Sequence, residues 1–306
     1  MQLQTVRTYK VNELSKPSMI AVHCLFILLS AAFILPVFLL IAISLTDEAA
    51  VYEHGYQFWP SLFSFDAYSF LFEDPTMVLT AYGVTSLVTL LGTLGTVILV
   101  TMYAYPLSKR DLPFRKAFTW FILFTFLFSG GLVPFYLVYT QLLHVKDTIW
   151  ALILPLMSSP FWIIVARTYF KDNIPEEIVE SARIDGAGEM RIFVQIVLPL
   201  SLPMLSTIAL FTSFTYWNDW FNSLLFVETN KELYSLQFVM QRAIRELEFI
   251  KSQLGGLNLG TQVYANVPSE TVRMAMVIVA MGPLMLAYPF FQKYFIKGLT
   301  VGAVKG

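Results

Sequence analysis

Apolar and polar positions alternate along this chain in long blocks, hydrophobic runs separated by shorter polar stretches. Six runs are long and apolar enough to cross a bilayer: about Ile20–Leu45, Leu79–Tyr105, Ala117–Thr140, Thr148–Phe170, Leu200–Phe226 and Thr271–Phe291. A spanning helix needs roughly 20 such residues. The first run is too long for a cleavable signal peptide and lacks a clear small-residue cleavage site after Pro36. Helix breakers interrupt several runs: Pro36, Gly130-Gly131 with Pro134, Pro155 with Pro160, and Pro283 with Pro289. Membranes tolerate such breaks where neighbouring helices or cavity water satisfy the freed backbone groups. They fit a transport pathway and ordinary membrane packing alike. The expected fold class is all-α, a polytopic membrane protein with six transmembrane helices.

One polar stretch lies between the fourth and fifth runs. Glu180 to Pro203 reads ESARIDGAGEMRIFVQIVLPLSLP, the pattern of a helix-turn-helix. Pro175 is suited to a first helical position, and Glu176 and Glu177 to the positive end of the helix dipole. Asp185-Gly186 is a turn dipeptide, because glycine accepts positive φ without a Cβ clash. A second short helix follows, with Phe193, Ile196 and Val197 on one stripe. Pro199 and Pro203 then stop or kink the chain.

Composition agrees with a bilayer environment. Hydrophobic residues make up 57% of the chain and charged ones 13%, about half the charged share of a soluble domain. Cys24, the single cysteine, lies inside an apolar run, so no intrachain disulfide forms.

The placement of Lys and Arg sets the orientation. Basic residues gather in the N-terminal tail (Arg7, Lys10, Lys16), after the second run (Lys109, Arg110, Arg115, Lys116), around the polar stretch (Arg167, Lys171, Arg183, Arg191) and in the C-terminal tail (Lys293, Lys297, Lys305). The loop over 46–78 holds no Lys or Arg, but it holds Asp47, Glu48, Glu53, Asp66, Glu73 and Asp74. Both termini and the polar stretch are therefore expected in the cytoplasm. The expected organisation is a cytoplasmic tail over 1–19, a six-span domain over 20–299 with outer loops at 46–78 and 227–270, and a cytoplasmic tail over 300–306.

The first outer loop is dense in aromatics, among them Tyr52, Tyr56, Phe58, Trp59, Phe63 and Phe65. These suit an interfacial aromatic belt, with a docking ledge for an external protein as the alternative. The second outer loop predicts a helix near Leu236–Lys251, followed by the run GGLNLG at Gly255–Gly260.

Within the fifth run lies Trp217-Asn218-Asp219-Trp220-Phe221-Asn222. An ionisable residue at membrane depth marks a functional site by default. On a continuous helix Trp217 and Trp220 share one face, and Asn218 and Asn222 another. Aromatic faces beside amides and a carboxylate suit a sugar. Equally, Trp and a hydrated Asp are unremarkable near the outer interface. No catalytic constellation is present: His23, His54 and His144 are scattered, none pairs at metal-ligand spacing, and no G-x-x-x-x-G-K-S/T phosphate loop occurs.

The polar stretch resembles the EAA loop of ABC-importer permeases, which runs roughly E-A-A, three residues, G, then I-x-L-P. Glu180-Ser181-Ala182, Asp185-Gly186-Ala187 and Ile196-Val197-Leu198-Pro199 stand at matching positions, with Ser181 in place of the usual Ala. The number and order of apolar runs is similar to carbohydrate-uptake permeases of the maltose type. That resemblance implies a multi-pass protein of the bacterial cell membrane with an EAA loop over 171–199. It implies that Glu180, Ser181, Ala182, Asp185, Gly186, Ala187, Leu198 and Pro199 couple to an ATPase. Trp217, Asn218, Asp219, Trp220 and Asn222 become a substrate pathway. It further implies a second homologous permease subunit, two ATPase subunits that use ATP and Mg, and an extracytoplasmic substrate-binding protein. No cofactor, metal or nucleic acid is expected on this chain itself. The rival readings are the same architecture for an amino acid or polyamine, an ion-coupled secondary transporter, and a membrane-embedded enzyme.

Overall fold

The structure, a computed structural model, describes residues 16–256, 270–283, 285 and 289. Residues 1–15 of the expected tail over 1–19, the expected tail over 300–306, and most of GGLNLG lie outside the described residues. Among the described residues there is no β-strand, only one antiparallel bridge between Thr46 and Phe63. The chain divides into two compact units, Met1–Phe70 with Asn258–Ile278, and Leu71–Leu257 with Val279–Gly306.

In the first unit, α1 (Lys16–Ser44) is a helix of 29 residues that contains Pro36 and exposes large apolar side chains such as Leu28 and Phe33. The loop after it is folded rather than free. Asp47 caps α2 (Glu48–His54) by accepting the Ala50 amide at 3.2 Å, and α3 (Asp66–Leu71) follows. The amides of Asp47 and Ser64 donate to the carbonyls of Leu62 and Leu45, so the intervening segment closes on itself. Glu48 is buried, and its carboxylate accepts the Glu270 and Thr271 amides, both at 2.9 Å, and the Thr271 hydroxyl at 2.6 Å. Glu270 and Thr271 both belong to the helical segment described over residues 270–283 (α15).

The second unit is organised on α4 (Pro75–Ser108), a helix of 34 residues with Pro75 at its first position and Asp74 as its cap. Its buried face runs Ala81, Thr85, Val88, Gly92, Thr96, Val100 and Ala104, at spacings of three and four. Small side chains on one stripe let other helices approach closely, which is how helices associate in lipid. α12 (Leu202–Trp217), α8 (Pro160–Asn173) and α7 (Trp150–Met157) all pack on α4. The tightest approach is at Gly92, where the Tyr216 ring occupies the space a Cβ would need. Tyr216 is 1% exposed, and its hydroxyl donates to the Ile153 carbonyl of α7 at 2.7 Å.

Two expected spans are bent, and a third bend joins the polar stretch to the fifth. Arg115–Leu127 (α5) meets Leu132–Leu142, comprising α6 (Leu132–Leu137) and a π-helical turn, at 112°. The expected span over 117–140 is therefore not one rod. The chain breaks at Gly130-Gly131, where Gly131 has φ of 86°. α7 meets α8 at 50°: Ser158 and Ser159 are extended, the conformation forced before Pro160. Glu189–Leu200 meets α12 at 79° across Ser201, beside Pro203. Taken with α1 and α4, these give up to five apolar crossings by length and composition. The sixth expected span is helical over 270–283, and most of its remainder lies outside the described residues.

α13 (Phe221–Phe226) and α14 (Leu236–Gly256) complete the second unit, the latter covering the expected helix and running on to Gly256. One corner of the unit is pinned by Asp147, whose Oδ1 accepts the amides of Glu228, Thr229 and Asn230 at 2.7, 2.9 and 3.3 Å.

If the Gly92 contact sets the helix spacing, Gly92→Ala lowers the thermal unfolding midpoint of the detergent-purified protein, with overpacking costing about 1–3 kcal/mol. Gly83, on the same helix, has open space for a Cβ, so Gly83→Ala leaves the midpoint unchanged or slightly raised. Equal effects from the two variants would contradict this account.

Candidate functional site

The polar stretch forms a helix-turn-helix. α9 (Glu176–Ile184) begins one residue later than the sequence suggests, because Pro175, with ψ of 129°, is the cap and not the first helical residue. Its end is closed by two backbone bonds, Ala187 amide to Ala182 carbonyl at 2.9 Å and Gly186 amide to Arg183 carbonyl at 3.0 Å. This is the Schellman arrangement, which requires a left-handed residue just past the helix. Gly186, with φ of 80°, supplies it. The spacing from Ala182 to Gly186 is thus a helix-ending device. After the turn come α10 (Glu189–Ile192), a π-helical turn over Phe193–Val197 and α11 (Leu198–Leu200). Pro199 has no amide to donate to the Gln195 carbonyl, and the wide turn ahead of it closes instead with the Leu198 amide on the Phe193 carbonyl.

The two faces of this motif differ. Val179, Ala182 and Ala187 pack against a core built from Val100, Ala104, Phe170, Ile192, Phe193 and Val197. Glu180, Ser181, Asp185 and Gly186 are exposed. Ile184 is 86% exposed and Met190 64% exposed, apolar side chains that the polar stretch leaves uncovered. The eight residues assigned to coupling therefore separate into an outward set (Glu180, Ser181, Asp185, Gly186, with Pro199 also exposed) and an inward set (Ala182, Ala187, Leu198).

Glu189 opens the second helix and was not a sequence-level candidate. Its Oε2 pairs with the Lys109 ammonium, and its Oε1 accepts Arg183 Nε at 2.9 Å and lies 2.8 Å from Nη2. The Tyr105 hydroxyl donates to Oε2 at 3.3 Å. The Lys109 hydrogen bond holds the Glu189 carboxyl below its ordinary range, against the opposing effect of burial and with further help from Arg183. These groups rim a cleft of about 450 Å³ floored by Met102, Pro106, Leu112 and Phe193.

The Trp-Asn-Asp run is not a continuous helix. α12 ends at Trp217 and α13 starts at Phe221, so the faces expected from spacings of three and four do not form. Asp219 is the physical reason. Its Oδ1 accepts the amides of Phe221 and Asn222 at 3.2 and 3.3 Å, and its Oδ2 accepts Asn222 Nδ2 at 2.8 Å, so it starts the new helix. Trp217 is buried and donates its indole N–H to the Ala280 carbonyl at 2.8 Å. Asn222 is buried as well. Asn218 is exposed and Trp220 half-buried, with the Arg245 guanidinium 6.0 Å from its ring.

A second cleft, of about 280 Å³, opens where α7 and α8 separate. Phe126, Phe161 and Trp162 line it with aromatic side chains, and Ser158, Ser159, Thr96, Thr212 and Thr215 are the hydroxyl-bearing residues of its wall. The Thr212 hydroxyl is buried without a hydrogen-bond partner among the described residues. Pro155 and Pro160 around a Ser-Ser pair were the sequence signal for this break.

The Glu189 contacts make a pH prediction. A carboxyl whose folded pKa is depressed adds stability above its unfolded value, about 4.3, and loses it as pH falls through the folded value. The difference in thermal midpoint between the native protein and Glu189→Gln is therefore present at pH 7 and shrinks as pH falls through and below about 4. A difference that grows on acidification would contradict the geometry.

The family described as "Binding-protein-dependent transport system inner membrane component" matches residues 98–301. Protein LplC of Bacillus subtilis (strain 168) is 37% identical over 276 residues, 90% of this chain and 90% of its own. The polygalacturonan/rhamnogalacturonan transport system permease protein YtcP of the same organism is 37% identical over 273 residues, 89% of this chain and 93% of its own. Among solved structures, a bacterial ABC transporter involved in the import of the acidic polysaccharide alginate is similar with a TM-score of 0.74 at 27% identity, covering 93% of this chain and 99% of that one. With the helix-turn-helix and the bent apolar helices inside the matched region, the chain belongs to the inner-membrane components of binding-protein-dependent transport systems, multi-pass transport subunits and not enzymes.

Proposed function

We propose that this chain is the permease subunit of an ABC importer that carries an oligosaccharide into a bacterial cell by ATP-driven alternating access. The observation that carries the reading is the two-faced helix-turn-helix, its first helix ended at Gly186 and presenting Glu180, Ser181, Ile184 and Asp185 outward. A polar helix with uncovered apolar side chains fits a protein partner. That partner is one of two ATPase subunits, which bind the ATP and Mg. Glu180 is the contact toward a basic residue there. Ala182, Ala187 and Leu198 serve the motif from within, and Pro199 shapes its exit.

The six apolar runs support six spans, and the distribution of Lys and Arg supports both termini in the cytoplasm. The two long apolar helices, the three bent pairs and the helix over 270–283 are compatible with that count. A second, homologous permease subunit completes the channel, and an extracytoplasmic binding protein delivers the substrate. A carbohydrate is supported by the relatives, one named for polygalacturonan and rhamnogalacturonan and one importing alginate. Within this subunit the pathway runs along the cleft between α7 and α8, where Trp162 offers a stacking face and Thr212 an unused hydroxyl. Asn218 and Trp220 lie on it as exposed or half-exposed groups, whereas Trp217, Asp219 and Asn222 shape the backbone around it.

Two measurements test this. In a Cys24→Ser background, Lys171→Cys resists a membrane-impermeant thiol reagent in intact cells, and Trp59→Cys, at a position 72% exposed in the first outer loop, reacts. The reverse pattern sinks the topology. Trp162→Ala lowers uptake of labelled oligogalacturonides roughly 2- to 10-fold, the range expected for one lost stacking face. Unchanged uptake of every glycan offered, alongside uptake of an amino acid or polyamine, would replace the substrate class.

A further inference from the structure

We propose that Glu189 is a positioning residue, a latch that makes the cytoplasmic helix-turn-helix and α4 move as one body. The inference rests on the reading of α9 as the element an ATPase moves.

The argument begins with the turn. Between α9 and α10 the chain passes through Asp185, Gly186, Ala187 and Gly188, with Gly186 in a left-handed conformation. Two glycines in four residues make a joint that flexes under load. A push on α9 would be spent in bending that joint unless the two helices were braced across it. Glu189 stands at the first position beyond the turn and braces it. One carboxylate oxygen takes Arg183 from the last turn of α9, and the other takes Lys109, which caps the far end of α4. One side chain therefore ties three helices with charge-assisted hydrogen bonds, which are stronger than neutral ones.

The tie continues into the core. Tyr105, one turn before Lys109 on α4, donates to the same carboxylate and lies 4.4 Å beneath the Lys109 ammonium. Its ring packs against Phe193 at 5.0 Å and against Phe170 of α8 at 6.1 Å. Arg167 of α8 and Arg115 of α5 donate to the carbonyls of Leu107 and Lys109, so α5 and α8 meet at the same end of α4. Displacement of α9 passes through Glu189 to α4, and α4 carries Thr96 into the wall of the cleft between α7 and α8.

The latch is distinct from ordinary stabilisation. The Glu189 side chain is 54% exposed, and ion pairs so exposed add a small increment to folding, enough to shift a midpoint slightly and too little to decide whether the subunit folds. Its removal should leave a folded subunit that transmits motion badly.

The test uses the complete transporter, with both permeases, both ATPases and the binding protein, reconstituted in vesicles with a labelled oligosaccharide. Glu189→Gln keeps the shape and removes the charge. The expected result is normal co-purification of the ATPase, retained ATP hydrolysis, and substrate moved per ATP reduced about fivefold or more, the lower end of usual coupling strengths. The swap Lys109→Glu with Glu189→Lys, which preserves one anion among two cations, recovers part of the loss. An unchanged ratio of transport to hydrolysis in an intact Glu189→Gln complex overturns the latch and leaves the ATPase-handle reading standing. Loss of the ATPase from the Glu189→Gln complex alone also overturns it, since the carboxylate would then serve docking. Failure of the native chain to co-purify with any ATPase removes the handle reading, and the latch with it.

Discussion

Close packing of α4 against its neighbours is the constraint on which the second unit depends. Lipid tails are as apolar as leucine, so burying hydrophobic surface between helices gains little in a bilayer, and fit decides which helices associate. Gly92 under the Tyr216 ring, and alanine and threonine along the same stripe, supply that fit. The Tyr216 hydroxyl, held by the Ile153 carbonyl, then fixes α7 relative to α12. Both candidate sites of this unit are referred to that frame. The cleft between α7 and α8 has Thr96 of α4 in its wall, and the helix-turn-helix is moored to the far end of the same helix.

Broken helices impose the complementary demand, because backbone groups freed inside a membrane need partners. The structure meets it with side chains drawn from the breaks themselves. Asp219 satisfies two amides at the start of α13. Ser235 donates to the Asp219 carbonyl at 2.8 Å, and Thr85 accepts the Leu236 amide at 2.8 Å. Polar residues in the apolar runs thus have structural duties, which tempers any reading of them as substrate contacts on sight.

The polar motif was legible in the sequence because its signals are local. Glycine four residues after Ala182 reports a helix end that the backbone bonds of Ala182 and Arg183 confirm. The helix near Leu236 was legible for the same reason. The Trp-Asn-Asp run misled because helical spacing was carried through Asp219, a residue whose short carboxylate competes for backbone amides and ends one helix to start the next. The bends at Gly130-Gly131 and Ser158-Ser159 were marked by their residue types, but bend angles depend on tertiary contacts that no local pattern records. The ties made by Glu189 were invisible for that reason, since Lys109 is 80 positions away.

Glu48 has a bearing on how the chain is made. Its carboxylate is buried, and the amides it accepts lie 222 and 223 positions later. A chain emerging from the ribosome presents its N-terminal part first, and contacts this remote in sequence are slow to form. The first unit therefore cannot finish folding until nearly the whole polypeptide has been synthesised. Until then its carboxylate lacks the amides that receive it in the finished fold, and the burial of Glu48 waits on the last part of the chain to be made.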